Sequence, residues 1–178
     1  MISKIAFIAL LILTSCSSSV EKGKKSEIQI LSEKISNNPT DIDLLYDRVD
    51  YNKSRDNLES ALFDLKEIIR LDSLSAINHF NIADIYFSLS KGENPNPKYP
   101  SLVKYHLEQS IRIDSQNKLS LSLMGELLLA YKQYEGAIKS FNKSLKIDYN
   151  QERAHMLMGY AFKQLDQTDN AIHCFRNS

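Results

Sequence analysis

Four histidines and two cysteines are the residues best suited to metal ligation or nucleophilic chemistry in this 178-residue sequence. His79, His106, His155 and His173 are scattered, and none stands near a Cys, Asp or Glu at a metal-ligating spacing. No glycine-rich loop suited to cradling phosphate is present, and no nucleophile sits in a recognised elbow. The many serines fall at helix starts or on exposed helix faces. The expectation is therefore a protein without catalytic residues, metal or cofactor, in which His79 and His155 serve packing. Cys174 is open to three readings: a buried side chain, a link to another chain, or an unused thiol.

Cys16 has a different context. Lys4 supplies a positive start, Ile5 to Leu13 is an apolar run, and small residues follow. From Ile5 to Val20 there are only 16 uncharged residues, short of the roughly 20 a helix needs to cross about 30 Å of hydrocarbon. The three-part pattern is that of a secretory signal over 1–15. Leu13-Thr14-Ser15-Cys16 resembles the lipobox of bacterial lipoproteins, which implies cleavage before Cys16 and covalent lipid on its sulfur and new amino group. Ser17 after the cysteine implies sorting to the outer membrane, facing the periplasm, where Asp would imply inner-membrane retention. Two or three acyl chains anchor far better than one. Residues 16–25 then read as the lipidated cysteine and a polar tether, its lysines either solvated or lying against anionic headgroups.

The elements that follow have to position everything else. Acidic and basic residues balance at 22 each, so no net field draws the chain to nucleic acid. Five Gly, four Pro and no Trp favour helix over a strand-and-turn sandwich. The strings RLDS, RIDS and KIDY begin at 70, 112 and 146, which puts their aspartates at Asp72, Asp114 and Asp148. The second interval is a repeat period of about 34 residues, and the first is that period plus an insertion. One such period carries Leu121, Met124, Gly125, Leu128, Ala137, Phe141 and Ser144 onto His155, Met158, Gly159, Phe162, Ala171, Phe175 and Ser178. Apolar spacings of three and four predict helices over 118–132 and 134–147. Gly125 and Ala137 are small where the two must approach, and Tyr131 and Phe141 are expected to fill the space around them. Such a hairpin needs neighbours to bury its faces, and the period supplies them.

This pattern resembles the tetratricopeptide repeat, and it implies an all-α, right-handed α-solenoid of about four helical hairpins plus an amino-terminal half-unit. The repeat domain spans 42–178, with units 42–75, 76–117, 118–151 and a truncated 152–178. Val49, Ala61, Ala83 and Val103 take the small positions of the first two units. Asn52 stands where an aromatic belongs, so the first unit matches least well. Ile28, Leu31 and Ile35, followed by Asn37-Asn38-Pro39, predict a capping helix within 26–41. Residues 90–101 hold a glycine and three prolines and read as a surface loop, either a plain excursion or a contact segment.

In the resemblance, the first helix of each hairpin lines a concave groove that holds a partner peptide or helix. By position the lining is Tyr46 and Asp50; Phe80, Asn81, Asp84 and Phe87; Glu126 and Leu129; then Arg153, Met156 and Tyr160, with Asp43, Lys53, Ser122 and Lys163 beside them. Asp50, Asp84 and Glu126 fall at one repeat position, so an acidic stripe between apolar anchors is expected, either a partner site or a solvated face. Capture of an acidic chaperone tail is disfavoured, because Phe80, Asp84 and Glu126 replace the Lys and Asn it needs. The expected function is a membrane-anchored interaction scaffold for a protein partner, aiding assembly of an envelope complex. The alternatives are a self-associating structural protein, its last helix closed by a second copy, or an accessory subunit of an envelope enzyme.

Overall fold

The computed structural model describes residues 25–178; the signal segment, Cys16 and the tether up to residue 24 lie outside them. Among the described residues the regular structure is nine helices: α1 (Glu27–Asn37), α2 (Ile42–Lys53), α3 (Leu58–Leu71), α4 (Ala76–Leu89), α5 (Tyr99–Ile113), α6 (Lys118–Ala130), α7 (Tyr134–Ile147), α8 (Glu152–Gln164) and α9 (Thr168–Arg176). None is long and apolar enough to cross a membrane.

Three helix starts are set by short polar side chains. Asp41, Ser75 and Asn117 accept the backbone N–H of Leu44, Asn78 and Ser120 at 3.2, 3.4 and 3.0 Å, satisfying donors that have no partner inside the helix. Each of these caps opens the first helix of a hairpin, so they recur with the repeat. The predicted cap helix forms as α1 and stops at Asn37, with Ile35 buried beneath it. Three hairpin links pass through a left-handed residue, Asp56, Lys132 or Asp166, at φ of 57°, 58° and 57°. In the second unit the loop 90–98 takes the place of that turn. It is shorter than expected, because Tyr99, Pro100 and Ser101 already belong to α5. A proline in the first helical turn lacks only an N–H that would have no intrahelical partner there.

The helices pair as α2–α3, α4–α5, α6–α7 and α8–α9, each pair packs on the next, and α4 touches α6 as α6 touches α8. The first helices of the last three hairpins thus lie side by side, with α6 between α4 and α8. Close approach is built as expected: a Cβ on Gly125 would lie 2.7 Å from the Phe141 ring, and one on Gly159 2.7 Å from Phe175. Tyr131 departs from expectation. It is 54 % exposed, since α6 ends at Ala130 and the next residue leaves the hairpin.

Buried polar groups supplement this packing. The poorly matched first unit is held by Arg48, whose Nε and Nη2 donate to Asp64 at 2.9 and 2.6 Å. Asp64 is 1 % exposed, and its hydrogen bond holds the Arg48 pKa above the usual guanidinium value. Ser110 and Ser144, at one repeat position, donate to the carbonyls of Ala76 and Lys118 at 2.7 and 2.8 Å, fastening each second helix to the start of the first.

Candidate interaction groove

Where α4, α6 and the start of α8 meet, the structure forms an open concavity of about 340 Å³. Phe80 and Asp84 come from α4, Leu119, Ser122, Leu123 and Glu126 from α6, and Gln151 to Ala154 from the entry to α8. Helical spacing explains the assembly: 80 and 84, like 119, 122, 123 and 126, recur every three or four residues and so share one face. The floor is apolar, with Leu119 44 % exposed, and the rim is charged.

Four of the eleven predicted lining residues, Phe80, Asp84, Glu126 and Arg153, are thus brought together, and Ser122, predicted beside them, joins them. The others are not. Tyr46 and Leu129 are half-buried and pack against the two core clusters, and the Tyr46 hydroxyl donates to the Asn78 side chain. Phe87 is 7 % exposed, so it is core and not lining; the Lys91 ammonium lies over its ring face, 3.8 Å from the centroid. Asn81 is half-buried outside the concavity. Met156 and Tyr160 are 44 and 47 % exposed further along α8. Asp50 lines a separate hollow between α1 and α2, beside Lys34 and Arg55.

The acidic stripe is consequently interrupted. Glu126 accepts from Arg153 Nε and Nη2 at 2.7 and 2.6 Å, and this pairing raises the Arg153 pKa. Two-point contact fixes both side chains. It leaves Asp84 and Glu152 as the carboxylates of the concavity that make no ion pair among the described residues.

The histidines do more than pack. His79 and His155 are buried, at 7 and 3 % exposure, yet His79 Nδ1 meets His106 Nδ1 at 3.1 Å, while His155 Nε2 donates to the Tyr149 carbonyl at 3.0 Å. Burial, then the neighbouring His79 and the Lys66 ammonium, push the His106 pKa down to about 4. Burial lowers that of His79 as well, partly opposed by a backbone hydrogen bond at Ser73. Cys174 is buried, the first of its three readings, and burial pushes its thiol pKa up. Among the described residues no three His, Cys, Asp or Glu side chains gather as a metal site. Sequence reasoning missed Arg48–Asp64, His79–His106 and Glu126–Arg153; only the polar residue types at core-facing positions signalled the first two.

The tetratricopeptide-repeat family model matches residues 120–151 and 152–178. No curated protein sequence matches. Among solved structures, MamA superposes with a TM-score of 0.74 at 17 % identity, covering 84 % of this chain and 83 % of that one. TTC0263, a thermophilic TPR protein of Thermus thermophilus, gives 0.66 at 13 % identity over 84 and 78 %. Pseudomonas aeruginosa pilF gives 0.64 at 20 % identity over 76 and 58 %. The chain has the all-α tetratricopeptide-repeat solenoid fold, and its third and fourth units are tetratricopeptide repeats. Proteins of this kind are in general non-catalytic scaffolds that bind protein partners.

Proposed function

We propose that the chain is a lipid-anchored, non-catalytic interaction scaffold of the bacterial cell envelope. Its concave face receives a peptide or helix of a protein partner, and the complex it helps assemble lies at the outer membrane. The observation that carries this reading is the concavity between α4, α6 and α8, where Phe80 and Leu119 offer apolar surface beside the carboxylates of Asp84 and Glu152. Such a site suits a segment in which apolar side chains alternate with Lys or Arg. The anchor reading rests on Leu13-Thr14-Ser15-Cys16, with covalent lipid on Cys16 as the membrane attachment. The exposed Ile172 and Phe175 of α9, at 44 and 43 %, favour self-association as a second reading.

A photo-crosslinking residue placed at Leu119 in living cells tests the groove. It is expected to trap one discrete partner, which is lost on Asp84→Lys; the same probe at Phe63, on α3, traps none. A partner trapped equally from Phe63, or unaffected by Asp84→Lys, counts against the groove. Cys16→Ser is expected to move the folded protein from the membrane to the soluble fraction.

A further inference from the structure

A second concavity, of about 320 Å³, lies between α7, α8 and α9. Three of its lining side chains are an imidazole, a thioether and a thiol: His155 and Met158 of α8 and Cys174 of α9. They are 3, 6 and 2 % exposed. The ring orientation of His155 is fixed by its Nε2, which faces the Tyr149 carbonyl. A carbonyl only accepts, so Nε2 carries the proton and Nδ1 keeps its lone pair. That Nδ1 is buried and has no hydrogen-bond partner among the described residues. A buried acceptor without a donor is destabilising, and here it belongs to a wall shared with two sulfur atoms.

The second unit shows what these positions bring together. His79 and His106 occupy there the places that His155 and Cys174 occupy in the fourth unit. The two Nδ1 atoms of that earlier pair lie 3.1 Å apart, so the hairpin register points both side chains at one spot. Cysteine is the shorter residue, its sulfur one bond beyond Cβ where histidine Nδ1 is two. By the same register His155 and Cys174 are directed toward one another across the concavity they both line, and an ion bonded to both would stand about 2.0 Å from nitrogen and about 2.3 Å from sulfur. Met158 stands three residues from His155 on the same helix face and adds a thioether. One imidazole and two sulfur donors, with no carboxylate among them, select a soft monovalent ion over Zn²⁺. An N–H given to a backbone carbonyl is also how metal-binding imidazoles are commonly oriented.

We propose that His155 Nδ1, Cys174 Sγ and Met158 Sδ bind one Cu(I) ion per chain. The thiol releases its proton to solvent as the Cu–S bond forms, and no electron is transferred. The test uses the full chain carrying Cys16→Ser, which leaves Cys174 as its one thiol. Reduced protein is titrated anaerobically with Cu(I) against a chromophoric Cu(I) chelator, and native mass spectrometry counts the ions bound. One Cu(I) per chain is expected, with affinity lowered at least roughly 10- to 100-fold by Cys174→Ser and by His155→Leu, and unchanged by His106→Ser. His155→Leu copies Leu121 at the same place in the third unit, and circular dichroism verifies its helix content. Failure to form a 1:1 complex, retention of Cu(I) by both variants, or tighter binding of Zn²⁺ than of Cu(I) overturns the proposal.

Discussion

The pair His79–His106 couples the second hairpin to pH. With Nδ1 facing Nδ1 at 3.1 Å, one ring must donate and the other accept, so the accepting ring is neutral while the contact lasts. A proton added to the accepting nitrogen would set two N–H groups against each other, with Lys66 and Arg112 adding like charge nearby. The folded pKa of His106, about 4, lies below its ordinary value near 6.5. The unfolded chain therefore binds the proton first. Stability from this pair is complete above about pH 6.5 and is lost as pH falls from there toward 4. Allowing for the partial solvent exposure of His106, the loss is on the order of 1–2 kcal/mol. The double variant His79→Leu/His106→Ser reproduces the Leu121/Ser140 pair of the third unit. Urea unfolding at pH 7 and pH 4.5 should show a smaller acid loss in the variant; equal losses in both proteins would exclude the pair as the cause.

Helix against helix, the deciding feature is how near two backbones come. At Gly125 an added Cβ would lie 2.7 to 2.8 Å from three atoms of the Phe141 ring, and Phe141 has no exposed surface through which to move. Gly→Ala inside a helix contributes roughly 1 kcal/mol through propensity, whereas overpacking a filled core costs roughly 1–3 kcal/mol. Gly125→Ala should therefore lose up to about 2 kcal/mol net, and Phe141→Leu in the same chain should restore part of it. Gly136 provides the contrast: its nearest neighbour would be Leu128 Cδ1 at 3.4 Å, ordinary contact distance. Gly136→Ala should gain up to about 1 kcal/mol. Chemical denaturation of the two variants checks both signs, and destabilisation by Gly136→Ala would contradict the account. These approaches were legible in advance because Gly125, Ala137 and Phe141 recur one repeat further on as Gly159, Ala171 and Phe175. Tyr131 was not, since a helix ending one residue earlier turns a packing position into an exposed one.

Across the whole molecule, the period of RLDS, RIDS and KIDY located the hairpins because each buries its faces only against its neighbours. Four of the eleven groove positions converged as the period implied. The rest failed for a geometric reason: residues at one repeat position share a helix face but not one depth, since each hairpin is rotated relative to the last. Pairings between units, such as Glu126 with Arg153, depend on that rotation and on side-chain reach, neither of which a periodic pattern contains.

The same quasi-linear build predicts uneven stability. Most of the buried apolar residues fall into two clusters: sixteen between Ile35 and Leu127, and six between Ala137 and Cys174. Helix α6 joins them, sending Leu123 and Leu127 into the first while Leu128 and Leu129 pack on the second. In a repeat array each hairpin contributes its own stability plus that of its interfaces, so the smaller cluster should open first while α2 to α5 stay folded. Native-state hydrogen exchange should then give amides such as Phe141, Leu145 and Met158 an opening free energy at least ~2 kcal/mol below those of Leu65, Ile82 and Leu107. Their opening should also depend less on urea, because less surface is exposed. Equal free energies and equal urea slopes across both groups would mean that α6 transmits unfolding in full, and that the solenoid opens as one unit.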